Sequence, residues 1–131
     1  MAPMTDTTAT IAQLRRMVEQ FVDCRDWHQF HTPKNLAMSM AIEAAELMEH
    51  FQWLTPEQSR AVAHQPVKLG EVADELADVF CYLLAMANEL GLDLAEALER
   101  KMAKNAKKYP AEAYRGRFGP EDPRQPYGSS Q

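Results

Sequence analysis

The stretch PVKLGEVADELADVFCYLLAMANEL, residues 66–90, followed by Gly91, decides the fold. Pro66 suits the first helical position, where its missing N–H would have had no partner. No second proline interrupts the segment, and Gly91 suits the left-handed position that closes a helix. Taking about 100° of rotation per residue and Glu75 as zero, Met86, Val79, Val72, Leu90 and Leu83 fall at roughly 20–80°, a single apolar stripe. Asp78 falls about 60° to the other side, near Tyr82 and Glu71. The segment reads as a long helix with one buried face and two carboxylates, Glu75 and Asp78, at the border of that face.

The preceding segment repeats the design. Thr32-Pro33 reads as the cap and first residue of a helix running to about Trp53. With Glu43 at zero, Leu36, Leu54, Leu47, Met40 and Phe51 occupy roughly 20–80°. Glu46 lies about 60° to the other side, with Ser39 and His50 between. Thr10 and Gln13 form a capping box that opens a helix to about Trp27, with 28–32 as a connector. Thr55-Pro56-Glu57-Gln58 starts a short helix ending near Ala63. Asp93 and Glu96 form another box, and the last helix runs to about Tyr109, where Pro110 stops it. β-branched alternation and Asn-Gly turns are missing, so strands are not expected. The fold expected is all-α, an antiparallel four-helix bundle-like core over residues 10–110. Residues 1–9 read as a flexible N-terminus and 111–131, with three prolines and three glycines, as a flexible tail. Helices this long in a 14.9 kDa chain suggest that second faces are buried in an oligomer.

Composition excludes several classes. The chain has 131 residues, 46% hydrophobic and 25% charged, with a net charge of −5. One soluble domain with its own core is expected, and duplex nucleic acid is excluded as a partner for the whole surface. No apolar run approaches the ~20 residues of a membrane helix, and the polar start is unlike a signal peptide, so no membrane partner is expected and the cytoplasm is the expected compartment. Cys24 and Cys81 lack metal-ligand spacing and read as buried free thiols.

The four acids carry the chemistry. A carboxylate beside a core is costly unless paired or bound to a metal. Packing the two stripes together gathers Glu43, Glu46, Glu75 and Asp78, which then repel and raise one another's pKa. A divalent cation removes the conflict, and an all-oxygen set suits Mg²⁺ or Mn²⁺. Mg²⁺ commonly shares its shell with phosphate oxygens, so hydrolysis of a phosphate ester or anhydride is the chemistry implied. Two such pairs also arise on helix surfaces that bind nothing. A di-iron bundle is disfavoured, because it needs Glu-x-x-His pairs that are missing here.

Glu43-x-x-Glu46, a spacer of 28 residues and Glu75-x-x-Asp78 together resemble the metal signature of the MazG-like all-α nucleoside triphosphate pyrophosphohydrolases. The words Arg25-Asp26-Trp27, Gln29-Phe30-His31, Pro33-Lys34-Asn35-Leu36, Phe51-Gln52-Trp53, Glu75-Leu76-Ala77-Asp78-Val79 and Lys101-Met102 through Asn105 to Tyr109-Pro110 resemble the dCTP pyrophosphatase branch. The resemblance implies an all-α core assembled as a dimer or a tetramer. It implies Mg²⁺-dependent attack of water at the α-phosphorus, with Glu43, Glu46, Glu75 and Asp78 as metal ligands and one glutamate orienting or deprotonating the water. Mn²⁺ is the expected substitute. Asp74 points about 100° away from Glu75 and is left out.

Lys101, Asn105 and Lys108 share one face of the last helix within about 60°. That face suits either a solvated surface with cations near a helix end or a triphosphate. The resemblance favours triphosphate for Lys101 and Asn105, and adds Lys108 and Tyr109. Trp27 and Trp53 flank the second helix and suit core, interface or base stacking. The resemblance places both in a base pocket with Tyr82 and with His31, which matches a family word. His28, His50 and His64 read as ordinary polar positions, and the eight methionines as core filler. The expected function is conversion of dCTP or a modified dCTP to monophosphate and pyrophosphate, in nucleotide pool sanitation. The alternatives are the same chemistry on dUTP or on a broad range of NTPs, and a non-catalytic helical module for nucleotide binding or oligomerisation.

Overall fold

The computed structural model describes residues 2–124. It contains helices α1 (Ile11–Asp23), α2 (Pro33–Glu49), α3 (Pro56–Ala61), α4 (Pro66–Leu90), α5 (Leu94–Lys108) and α6 (Ala111–Tyr114), with a 3₁₀ turn at Val62–His64. No strand occurs among the described residues, so the fold is all-α. Residues up to Leu92 form one compact unit and those from Asp93 onward a second.

The helix starts obey local chemistry. The Thr10 hydroxyl accepts the Gln13 N–H while the Gln13 side chain accepts the Thr10 N–H, and Thr55 and Gln58 repeat the exchange. Thr32 caps α2 through the Asn35 N–H, with Pro33 at the first position. Asp93 accepts the Glu96 N–H, a one-way cap in place of the box expected there. α4 spans 66–90 as its sequence requires, and Gly91 closes it at φ 62°.

Two helices end earlier than their sequences suggest. α1 stops at Asp23, not near Trp27, because Asp26 adopts φ 51°. The Trp27 N–H then bonds Val22 O and the Asp26 N–H bonds Asp23 O. This is a Schellman turn with aspartate where glycine is usual, which a short polar side chain tolerates. α2 stops at Glu49, not near Trp53. The His50 and Phe51 N–H groups bond three residues back, to Leu47 O and Met48 O, tightening the chain into turns.

In the first unit α2 and α1 pack against α4. The core contains Val18 and Val22 from α1, Leu36 from α2, Val62, and Val72, Leu84, Ala85 and Ala87 from α4. Arg15 fastens α1 to the end of α4, donating to Asn88 Oδ1 at 2.9 Å, Leu92 O at 2.7 Å and Ala87 O at 3.2 Å. These bonds place one guanidinium across the end of α4 and Leu92 beyond it, adding to the backbone bonds that close the helix. His28, in the connector, sits between Asp23 at 2.7 Å and Glu89 at 2.6 Å, so it ties α1 to α4.

In the second unit, α5 is followed by Pro110 and the single turn of α6. The Tyr109 and Tyr114 rings meet edge to face at 5.3 Å. Beyond them the Asp122 carboxylate is buried, accepting from the Phe118 and Arg124 backbones and from the Arg124 guanidinium, which holds it far below the usual carboxylate range. Of the tail expected at 111–131, residues 125–131 lie outside the described residues. Cys24 and Cys81 are free; Cys24 is exposed and not buried as its sequence suggests, and Cys81 is half-buried. No helix among the described residues is long and apolar enough to cross a membrane.

Candidate active site

α2 and α4 run antiparallel, and three contacts fix their register. The His31 ring, just before α2, lies 6.4 Å from the Tyr82 ring. Glu43 meets Glu75 and Asp78 in the middle. His50, just after α2, meets Glu75 and Lys68. Acids placed one turn apart on each helix therefore converge.

One carboxylate oxygen each from Glu43, Glu75 and Asp78 lies within 4.8 Å of the others. Glu43 is the innermost. Its Oε2 is buried with no hydrogen-bond partner. Burial holds its carboxyl above the usual range, followed by the neighbouring Glu46 and then by the charges of Asp78 and Glu75. An acid raised by desolvation and three like charges marks a site short of positive charge. The donor set is all oxygen, which fits a hard divalent cation such as Mg²⁺ or Mn²⁺, and the orphaned Oε2 is a ligand atom ready for one.

One turn from the acids, a cavity of about 360 Å³ opens between the connector, α2 and α4. It is lined by Trp27, Phe30, His31, Asn35, Leu36, Met38, Ser39, Ile42 and Tyr82. Aromatic faces dominate it. Trp27 and His31 lie 6.1 Å apart, and Phe21 supports Trp27 from its edge at 5.7 Å. His31 Nδ1 is buried with no hydrogen-bond partner, a polar atom free to meet a ligand inside an apolar wall.

The structure thus brings Glu43, Glu46, Glu75 and Asp78 together, and gathers Trp27, His31 and Tyr82 beside them. Trp53 is not among the cavity's lining residues and is 86% exposed. Lys101, Asn105, Lys108 and Tyr109 belong to the second unit. There Asn105 O accepts the Tyr109 N–H at 2.8 Å, and the Lys108 ammonium lies 5.2 Å from the Tyr109 ring centre.

Sequence reasoning missed two side chains beside the acids. His50 reads as an ordinary polar position, yet its Nε2 lies 3.6 Å from Glu75 Oε1. Lys68 donates to His50 Nδ1 at 2.9 Å. Their signal was spacing: His50 is one turn after Glu46, and Lys68 is seven residues before Glu75, so each continues its own acid face.

A sequence profile of the MazG-like family matches residues 38–117. The dCTP pyrophosphatase 1 of Rattus norvegicus is 38% identical over 107 residues, 82% of this chain and 63% of the rat protein. The Homo sapiens dCTP pyrophosphatase 1 is 38% identical over 102 residues, 78% of this chain and 60% of the human protein. The chain therefore spans less than two thirds of the length of these relatives. A crystallised pyrophosphatase from Archaeoglobus fulgidus superposes with a TM-score of 0.72 at 39% identity, covering 84% of this chain and 98% of the other.

Proposed function

From the premise that this chain belongs to the MazG-like family, we infer that it hydrolyses a nucleoside triphosphate, with dCTP or a modified dCTP as substrate, to the monophosphate and pyrophosphate. The observation that carries this reading is the carboxylate cluster with its orphaned Glu43 Oε2 one turn from an aromatic cavity. The cavity takes the base between aromatic faces, and the α-phosphoryl group meets the acids. Water forms a bond to the α-phosphorus while the bond from that phosphorus to the α–β bridging oxygen breaks. The bridging oxygen leaves with the electron pair as pyrophosphate, and a glutamate of the cluster takes the proton from the water.

Glu43, Glu46, Glu75 and Asp78 would hold Mg²⁺, with Mn²⁺ as substitute. That ion supplies charge neutralisation at the phosphate oxygens and a lowered pKa for a bound water. The protein's part is to converge the carboxylates. Trp27, His31 and Tyr82 would bind the base. We assign Lys101, Asn105, Lys108 and Tyr109 to the triphosphate and Trp53 to the base pocket on family resemblance. The cytoplasm, where nucleotide pools reside, is the compartment proposed. Self-association as a dimer or a tetramer is also proposed, supported by exposed Met38, Ile42 and Met48 on α2 and by Trp53.

The test is incubation of the protein with dCTP, with and without Mg²⁺, and separation of products by ion exchange. The reading requires dCMP and pyrophosphate in equal amounts, only with the metal. Inorganic phosphate with dCDP would overturn it. Turnover of dUTP or of ribonucleotides at equal efficiency would overturn the base assignment alone.

A further inference from the structure

Along α2, successive turns present Ser39 at the cavity, then Glu43 and Glu46, then His50. Along α4 the opposite direction presents Tyr82 at the cavity, then Asp78 and Glu75, then Lys68. The groove therefore has a fixed order: aromatic cavity, acids, then Lys68 with its His50 partner. From Ser39 to His50 the helix axis rises about 16 Å, the scale of an extended nucleotide. If the base lies in the cavity and the α-phosphoryl group at the acids, the rest of the substrate runs toward Lys68.

We propose that Lys68, anchored on His50, is a further contact for the β,γ-diphosphoryl end of the substrate, which becomes the pyrophosphate leaving group, in addition to the residues assigned to the triphosphate above. This rests on the nucleotide reading of the acids given above. The Lys68 ammonium has no lone pair, so it donates to His50 Nδ1 at 2.9 Å. The ring hydrogen then sits on Nε2 and faces Glu75 Oε1 at 3.6 Å. The imidazole is thus a spacer that holds Lys68 one ring's width beyond the acids and leaves two ammonium hydrogens for other acceptors. Their other charged neighbour is Glu71, whose Oε2 stands 3.9 Å from Lys68 Nζ and 3.9 Å from His50 Nδ1, too far for a hydrogen bond. Lys68 also borders a cavity of about 380 Å³ lined by Gln65, Pro66, Val67 and Glu71. This cavity lies at the start of α4, where the Gln65 side chain makes no capping bond. When the bond to the bridging oxygen breaks, the new negative charge appears on the diphosphate, beside the ammonium.

The test uses inorganic pyrophosphate and dCMP as separate probes, titrated calorimetrically in Mg²⁺ buffer into the full chain and into Lys68→Gln, His50→Gln and Glu71→Gln. Circular dichroism shows that each variant is folded. Lys68→Gln should weaken pyrophosphate binding by about tenfold, the loss of one charge-assisted contact, and leave dCMP binding unchanged. His50→Gln should weaken it less, because glutamine still offers Lys68 an acceptor. Glu71→Gln should tighten it, because a negative charge 3.9 Å from the ammonium is removed. A Lys68→Gln protein that binds pyrophosphate like the parent, or that loses dCMP equally, would overturn the proposal, as would a parent that binds no pyrophosphate. Parallel dCTP assays separate the two readings. Turnover by the parent with Lys68-independent pyrophosphate binding rejects the subsite and leaves the function intact. Lys68-dependent binding without nucleotide turnover upholds the subsite and rejects the function.

Discussion

Glu43 carries the electrostatic tension of the acid cluster. Its carboxyl is held above the usual range by burial and by Glu46, Asp78 and Glu75. The folded state thus binds a proton more tightly there than the unfolded chain does. Its contribution to stability is present at low pH and is lost as pH rises through the raised value. In EDTA at neutral pH, Glu43→Gln should therefore melt higher than the parent, whereas with Mg²⁺ the order should reverse. A variant that melts lower in EDTA would mean that the carboxylates are satisfied without a cation. Glu75→Gln tests the chemistry itself. Activity should fall by ~10²-fold or more, the scale seen when a group stabilising developing charge is removed, with the helical signal unchanged. Full activity would remove Glu75 from the site. The convergence of the acids was legible in the sequence because two carboxylate pairs border their core stripes at matching offsets. His50 was not legible. A histidine on a polar face says nothing until the facing helix shows that Lys68 and Glu75 flank it.

At the scale of elements, the connector between α1 and α2 does more than join them, because it supplies Trp27, Phe30 and His31 to the cavity. His28 pins it. Hydrogen bonds to Glu89 and then to Asp23 raise the pKa of its imidazole, with help from the Glu19 charge and against some desolvation. The stabilisation from this clamp is complete below the ordinary histidine value of about 6.5 and is lost as pH rises through the raised one. His28→Gln should therefore lower the melting temperature most near about pH 6, with a difference that shrinks in alkaline buffer. A difference independent of pH would show that the ring acts without its charge. Helix starts were legible to the residue at Thr10, Thr32 and Thr55, because caps are local chemistry. The ends of α1 and α2 were not. Asp26 closes α1 in a backbone region that sequence habit reserves for glycine, and α2 ends through tightened turns with no breaker residue.

At the scale of the molecule, α2 leaves Met38, Ile42 and Met48 exposed, and Trp53 follows it at 86% exposure. Light scattering on a sizing column should give a mass at least twice 14.9 kDa, and Ile42→Asp should shift it toward one chain. A monomer at micromolar concentration would leave that apolar surface without the partner proposed for it. The all-α class followed from caps, helical periodicity and missing strand signals, and the pairing of the two acidic helices from their apolar stripes. The two-unit division did not, because Leu92 and Asp93 form an ordinary short junction in the sequence. The aspartate turn that ends α1 has a further consequence. The acids stand on α2 and α4, whereas Trp27, Phe30 and His31 of the cavity wall hang from a nine-residue link between Asp23 and Pro33. Part of the cavity wall is therefore drafted on a piece of chain separate from the acids, while the rest shares α2 and α4 with them. On the function proposed above, a lineage could rewrite residues 27–31 and change its preferred base while the acids pass on untouched.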